Sequence, residues 1–271
     1  MRKKAVLLLV ACGLALSTLV ACGIDSGPAS SSGVQVENTV VVDTEPGMVT
    51  DEATQVYEGV DNTGSDSVPD AVTGNRQDHE DAEDYSWDSS SVVPIVLDRD
   101  SISVQGTGAT ADGSTVTIGS AGTYSISGSL ADGQIIVNTE DEGVVRLILN
   151  GVDVNNSTGA AINVTGADKV VIVLADNTDN YVSDGDTYTL MDPETDEPNA
   201  AIFSSADLTL SGTGSLTVDG SYNDGIASKD GLIIAGGTLT VHAVDDGIRG
   251  KDYLIVQGSK ITVDAGADGL K

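Results

Sequence analysis

The feature that most constrains the fold is a repeat near the end of the chain. The stretch "NDGIASKD" at residues 223–230 returns as "DDGIRGKD" at residues 245–252. Asp224, Asp246 and Asp268 follow one another at intervals of 22 residues. A fixed period of this size is typical of folds that stack one short structural unit on the next.

The apolar residues of these repeats have the same phase in each copy. Short β-branched runs alternate with Gly, Asp, Asn and Ser, which predicts three short strands and their turns in each unit. The predicted ladders are Ile202, Ile226, Ile248 and Leu270; Leu208, Leu232 and Leu254; Leu216, Leu239 and Ile261; and Val218, Val241 and Val263. Stacked units would bury these ladders as one core. The sequence therefore predicts an all-β fold, a parallel β-helix with about 22 residues per coil.

An antiparallel β-sandwich is the competing fold. It does not require strands one period apart to match in both sequence and position, so the repeat argues against it. An earlier unit places Ile162 in the first ladder, 40 residues before Ile202. We expect the surplus, residues 181–198, to be a loop that leaves the stack.

The first 21 residues read as a signal. "MRKK" precedes an apolar run, and the run ends in "LVAC", which resembles a bacterial lipobox with Cys22 as the lipidated residue. The alternatives are an ordinary secretory signal and an uncleaved membrane helix. The predicted organisation is a signal at residues 1–21, a membrane anchor through lipid on Cys22, and an extracytoplasmic location at the bacterial cell envelope.

Residues 22–92 are predicted to be a disordered acidic linker. Residues 23–92 hold 16 Asp and Glu against one base, Arg76, with little apolar periodicity. The formal net charge of the whole chain is −30. Nucleic acid is excluded as a partner, because phosphate binding needs clustered Lys and Arg. The folded domain is then expected over residues 93–271.

Stacking raises a question about the repeated aspartates. Two carboxylates at the strand spacing of about 4.8 Å repel by about 3 kcal/mol at an effective dielectric near 20. Calcium between rungs would offset this repulsion, since it takes carboxylate oxygens as ligands. The alternative is turn chemistry alone, with Lys229, Arg249 and Lys251 balancing the charge. The candidate calcium ligands are Asn223, Asp224, Asp245, Asp246 and Asp268.

Several segments carry a resemblance to a known family. They are "SAGTYSISGSLADGQIIV", "LILNGVDVNNSTGAAINV", "EPNAAIFSSADLTLSGTGSLTV", "YNDGIASKD" and "VDDGIRGKD". Over about residues 95–271 the chain resembles the bacterial calcium-binding β-helical carbohydrate-binding domain family. The resemblance implies a right-handed parallel β-helix like that of pectate lyases, bound calcium, and non-catalytic binding of cell-wall polysaccharides such as cellulose or pectic galacturonan. It also implies that the five acidic-turn residues are the calcium ligands.

A calcium-dependent polysaccharide binder is thus the first functional hypothesis. The candidate sugar contacts are Tyr222, Tyr253, Lys229, Arg249 and Lys251, with Tyr181 and Tyr188 in the expected loop. A pectate-lyase-like enzyme is the alternative, with a Lys or Arg base beside calcium. A structural stalk or adhesin is a third. The chain stops at Lys271 in mid-rung without a polar cap, so we expect a fragment or a shortened member.

Overall fold

The computed structural model of the protein describes residues 80–190 and 194–271. The predicted signal, Cys22 and most of the predicted linker lie outside the described residues. Within the described residues, no helix has the length and apolarity to cross a bilayer.

The described part of the chain is all-β apart from two short 3-10 helices, Ala82–Tyr85 and Ser89–Ser91. Its strands are β1 (Val93–Arg99), β2 (Ser101–Val104), β3 (Ala109–Asp112), β4 (Thr115–Ile118), β5 (Gly122–Leu130), β6 (Gln134–Asn138), β7 (Val144–Asn156), β8 (Ile162–Gly166), β9 (Lys169–Leu174), β10 (Asp179–Asp184), β11 (Ala200–Ser204), β12 (Asp207–Gly212), β13 (Ser215–Gly220), β14 (Asp224–Ser228), β15 (Gly231–Ile234), β16 (Thr238–Ala243), β17 (Ile248–Gly250), β18 (Tyr253–Val256) and β19 (Lys260–Ala265).

The strands form two sheets. One sheet has the order β18-β15-β12-β9-β7-β10-β13-β16-β19, and β5, β1 and β2 extend it from β7. The other has the order β17-β14-β11-β8-β6-β4-β3. Neighbours are parallel except in two hairpins near the start of the described chain, β1 with β2 and β3 with β4. A parallel, all-β stack was predicted, and the structure confirms it at this level.

The long strand β7 joins the two arms of the larger sheet. Its first part, from Val144 to Leu149, pairs with β9, and its last part, from Asp153 to Asn156, pairs with β10. In later coils the two arms are built by separate short strands, such as β12 and β13. One long strand in the earlier coil thus corresponds to two short strands in the later coils. The 22-residue repeat can therefore be recognised in the sequence only in the later coils.

The predicted ladders are present with their predicted registers. Ile162 pairs with Ile202, Ile202 with Ile226, and Ile226 with Ile248, and a bridge joins Ile248 to Leu270. The other ladders pair as Leu208, Leu232 and Leu254; Leu216, Leu239 and Ile261; and Val218, Val241 and Val263. Most of these side chains are fully buried between the sheets, each contributing about 2 kcal/mol of hydrophobic stabilisation.

The expected loop begins later than predicted. Tyr181 lies in β10, where it pairs with Asp153 on one side and Thr217 on the other. The excursion from the stack therefore runs from residue 185 to residue 199. Its departure point was misplaced because β10 has no apolar alternation before Val182.

Residues 80–91, here called the strap, pack against the larger sheet. The carboxylate of Asp84 is buried and pairs with Lys169 in β9. Arg146 in β7 donates to the backbone carbonyls of Glu83, at 2.5 Å, and of Asp84, at 3.2 Å. Ordered structure thus extends upstream of Val93, into residues that the sequence predicted to be linker.

The strands beneath the strap are buried on both faces. In β9 and β15 residues of both faces are buried, so "KVVIVL" and "GLII" read as continuous apolar runs and not as alternating ones. Such runs are typical of parallel strands that carry a second layer.

Candidate functional site

The repeated aspartates form one column, as predicted. β14 begins at Asp224, and its pairing with β17 places Asp246 on Asp224. The bridge between Ile248 and Leu270 continues this register to Asp268. We call Asn223, Asp224, Asp245, Asp246 and Asp268 together the acidic corner.

Members of the acidic corner differ sharply in their exposure. Asp224 and Asp246 are 1% and 2% exposed, whereas the side chain of Asp268 is 63% exposed. A buried carboxylate is costly unless it is paired and hydrogen-bonded. The partners of the two buried aspartates therefore decide what this corner can do.

The carboxylate of Asp224 has three kinds of donor. Its Oδ2 accepts from Arg249 Nε at 2.8 Å and lies 2.6 Å from Arg249 Nη2. Its Oδ1 accepts from the backbone N–H of Asp246 at 3.2 Å and from Asn223 Nδ2 at 3.1 Å. Burial raises the pKa of Asp224, and the charge of Arg249 partly offsets that rise.

Asp246 repeats this arrangement one coil later. Its Oδ1 accepts from the backbone N–H of Asp268 at 3.2 Å, and its Oδ2 lies 2.8 Å from Lys271 Nζ. Arg249 follows Asp246 by three residues, and Lys271 follows Asp268 by three residues. Each base reaches the buried carboxylate of the preceding coil. Repulsion within the column is thus compensated by Arg249 and Lys271.

The glycines after Asp224 and Asp246 are required by space. Gly225 and Gly247 do not have the left-handed backbone that turn glycines often adopt. A Cβ at Gly225 would lie 2.3 Å from Val241 Cγ1 and 2.7 Å from the carbonyl oxygen of Gly247. The glycine of these two "DG" pairs therefore lets successive coils approach closely.

Three carboxylates of the acidic corner lie close enough to share a cation. Oxygen atoms of Asp224, Asp245 and Asp246 all lie within 4.8 Å of one another. An all-oxygen, anionic set of this kind suits a hard divalent ion such as calcium. The guanidinium of Arg249, 3.9 Å from Asp246 Oδ2, occupies part of the same space. The residues fit calcium in chemistry, and Arg249 is its competitor.

The tyrosines of the loop and the repeat pack on one another. The rings of Tyr188 and Tyr222 stack with centroids 4.1 Å apart and planes 11° apart. Tyr188 donates to the buried carboxylate of Asp184 at 2.6 Å, and Tyr222 donates to Asp196 at 3.1 Å. Burial raises the pKa of Asp184. One face of Tyr222 is thus covered by the loop.

The remaining candidate sugar contacts are separated by the fold. Tyr253 lies over Gly231, where a Cβ would meet its ring, and its hydroxyl donates to Asp207 at 3.2 Å. Lys229 pairs with Glu197 of the loop at 2.7 Å, and Lys251 is exposed. Of these candidates, Arg249 alone contacts the carboxylates of the acidic corner.

A second polar line runs along the outer face of the β10-β13-β16-β19 arm. Asp219 accepts a hydrogen bond from Tyr181, and its Oδ1 lies 2.7 Å from Nδ1 of His242. The hydrogen bond between Tyr181 and Asp219 raises the pKa of Tyr181 to about 12. Asp264 follows His242 in register. A groove of about 540 Å³ lies along these residues. Asp219 and His242 are 23 residues apart and lie opposite each other on β13 and β16, in the same register as Val218 and Val241.

Comparison with known protein families shows which family this chain belongs to. A family model described as carbohydrate-binding domain-containing protein matches residues 112–271, which include the acidic corner. The chain belongs to this carbohydrate-binding domain family. The match excludes the strap and the first hairpin, so those elements lie outside the part that defines the family.

Two relatives support the assignment. A carbohydrate-binding domain-containing protein of Acetivibrio thermocellus is 39% identical over 150 residues, which are 55% of this chain and 52% of the relative. The chain therefore spans about half the length of that relative. A polysaccharide lyase-like protein from C. thermocellum, solved as a gadolinium derivative, has 27% identity and a TM-score of 0.58. That comparison covers 66% of this chain and 93% of the solved one.

Proposed function

We propose that this carbohydrate-binding domain is a non-catalytic, calcium-dependent binder of cell-wall polysaccharides, either cellulose or pectic galacturonan. The observation that carries the proposal is the family match over residues 112–271. The likeness to a polysaccharide lyase-like protein supports a fold suited to long glycans. The parallel pairing of successive coils supports the further proposal that the chain winds as a right-handed parallel β-helix, since crossovers between parallel strands are almost always right-handed.

Calcium would bind at the acidic corner. The carboxylates of Asp224, Asp245 and Asp246 would hold the ion, and Asp268 and Asn223 flank them in the column. A bound divalent ion inverts the local charge, so that an acidic protein can hold an anionic uronate. The solved neighbour is a gadolinium derivative, and hard cations of that kind take the oxygen ligands that calcium takes.

Attachment to the cell surface rests on the sequence alone. The "LVAC" motif ending at Cys22 supports a lipid anchor and an extracytoplasmic position at the bacterial envelope. Radiolabelled palmitate incorporation by the wild-type chain and by Cys22→Ala tests this proposal. Equal incorporation by the two chains would exclude a lipid on Cys22.

Polysaccharide binding is tested by co-sedimentation with insoluble cellulose and with insoluble polygalacturonate, in calcium and in EGTA. With polygalacturonate, we expect retention of the protein in calcium and loss of retention in EGTA. Failure to sediment with either polymer in calcium would contradict the proposed function. Retention on polygalacturonate that is equal in calcium and EGTA would contradict its calcium dependence.

A polysaccharide lyase is the second candidate, and the lyase-like neighbour favours it. Such an enzyme needs a Lys or Arg base close to calcium. Arg249 is held by Asp224, and Lys229 by Glu197, which supports the non-catalytic proposal. Ultraviolet absorbance of unsaturated products formed from polygalacturonate would establish lyase activity and overturn it.

A further inference from the structure

The strap presents two large aromatic side chains to solvent. Tyr85 is 37% exposed and Trp87 is 38% exposed. Trp87 is the single tryptophan of the chain, and aromatic residues make up only 3% of the sequence. Both residues lie outside the span matched by the family model.

Trp87 stands between two depressions on the outer face of the larger sheet. One has a volume of about 440 Å³, and its lining includes Tyr85, Trp87, Ile148, Val173, Asp176 and Ser211. The other has a volume of about 520 Å³, and its lining includes Trp87, Asp88, Thr107, Ser120 and Arg146. Trp87 lines both, so the two depressions meet at its indole ring.

The strap is held firmly enough to act as part of a binding surface. The buried ion pair of Asp84 with Lys169 fixes one 3-10 turn to β9. Gln257 Nε2 donates to Glu80 at 3.3 Å, which fixes the start of the strap to the other end of the stack. After Trp87, Asp88 accepts from the backbone N–H of Ser90 at 2.8 Å and caps the second 3-10 turn. Trp87 therefore lies between a 3-10 turn that is anchored to the sheet and a second one that is capped by Asp88.

The chemistry of this surface suits a pyranose chain. Sugar rings present C–H faces that pack on aromatic and aliphatic side chains, and their hydroxyl groups take up polar partners at the edges. Tyr85, Trp87 and the aliphatic side chains supply the apolar part. Ser211 and Asp176 supply polar groups at the edge of one depression.

Charge favours a neutral glycan over an acidic one at the depression that Tyr85 and Trp87 share. Asp88 and Asp176 each line one of the depressions, and hydrogen bonds from Ser90 lower the pKa of Asp88, so that it stays ionised. The guanidinium of Arg146 donates to two strap carbonyls. A uronate carboxylate would lie beside Asp88 or Asp176, whereas a neutral hexose would use their side-chain oxygens as hydrogen-bond acceptors.

We propose that Trp87 and Tyr85 form a stacking platform for a neutral pyranose polymer, separate from the acidic corner and independent of calcium. The proposal rests on the proposed polysaccharide-binding function, adds a second site to it, and limits its calcium dependence to anionic glycans. The acidic corner would then serve anionic glycans through calcium, and the strap would serve neutral ones through apolar contact.

The single tryptophan allows a direct test with the full-length protein. Titration with a cello-oligosaccharide should change the emission of Trp87 saturably, to the same extent in calcium and in EGTA. An oligogalacturonide should leave the emission unchanged in EGTA. Unchanged emission with the neutral sugar, or an equal response to both sugars in EGTA, would overturn the proposal.

Calorimetry on variants gives a second readout. Trp87→Ala should weaken binding of the cello-oligosaccharide about tenfold, which corresponds to about 1.4 kcal/mol, and Trp87→Phe should retain most of it. Val244→Ala, which shortens an exposed apolar side chain just after β16, is the control and should bind as wild type. Matching melting temperatures would show that the variants are folded.

The outcomes separate this proposal from the proposed function. Sedimentation with cellulose that persists unchanged in Trp87→Ala would overturn the stacking platform and leave polysaccharide binding in place. If the wild-type chain bound no polysaccharide, both the stacking platform and the proposed function would be overturned. Trp87 emission that depends on protein concentration without sugar would show that a second copy covers the surface, and would also overturn the proposal.

Discussion

Arg249 Nη2 lies 2.6 Å from Oδ2 of Asp224, a carboxylate that belongs to the preceding coil. Lys271 and Asp246 repeat this relationship at 2.8 Å. Each base thus ties two coils together and compensates a buried negative charge. Calcium at the same corner would have to share the carboxylates with Arg249 or displace it.

Arg249→Ala should destabilise the protein in EGTA by about 3 kcal/mol, because it leaves the buried carboxylate of Asp224 without its cation. Calcium should restore part of this loss, and urea unfolding in calcium and in EGTA measures both effects. Lys229→Ala is the control, since its pair with Glu197 is exposed and should be worth less than about 1 kcal/mol. An equal loss in both solutions would contradict calcium binding at the acidic corner.

Asp245→Asn should weaken calcium binding at least about tenfold, because affinity depends on the number of charged ligands. Asp245 is more exposed than its neighbours in the cluster, so the melting temperature in EGTA should stay near that of wild type. Isothermal titration with calcium measures the first effect and thermal unfolding the second. Asp264→Asn, on the outer face of β19, should leave the titration unchanged.

Asp184→Asn should change how stability varies with pH. In the unfolded state Asp184 has its ordinary pKa of 3.8, and burial raises its pKa in the folded state. Between the unfolded-state pKa and the higher folded-state pKa, the folded state therefore binds more protons than the unfolded state. Wild-type stability attributable to this group therefore falls as the pH rises through that window. The variant should match wild type in acid and be relatively more stable at neutral pH. Urea unfolding of both proteins across this range gives the difference, and a constant difference would contradict the assignment.

Ile226→Ala should destabilise the protein by about 2 to 5 kcal/mol, because Ile226 is fully buried in the ladder between Ile202 and Ile248. Val244→Ala is the control, since Val244 is 61% exposed and should change stability by less than about 0.5 kcal/mol. Urea unfolding followed by circular dichroism measures both. A loss below about 1 kcal/mol for Ile226→Ala would mean that the ladder does not form the core.

Prediction from the sequence failed in the parts of the chain that do not follow the 22-residue period. The coils before β8 contain long strands that serve both arms of the sheet, so β5 and β7 do not show three separate runs. The antiparallel strands β2 and β3 also escape a periodic reading. Tyr181 was assigned to a loop because its strand lacks apolar alternation, although β10 pairs on both sides.

The sequence by itself determined the stacked, parallel character of the fold, the members of each apolar ladder and the column of aspartates. It could do so because residues of equal phase in a repeat meet their counterparts in the next coil, so spacing along the chain specifies neighbours in space. Only the tertiary structure decided that Arg249 and Lys271 reach back to buried carboxylates, and that glycine follows aspartate for lack of space. It also decided that a strap from residue 80 returns to Gln257, 177 residues away. The first two features depend on side-chain direction and on close packing between coils, and the third joins segments that share no period, so the spacing of residues specifies none of them.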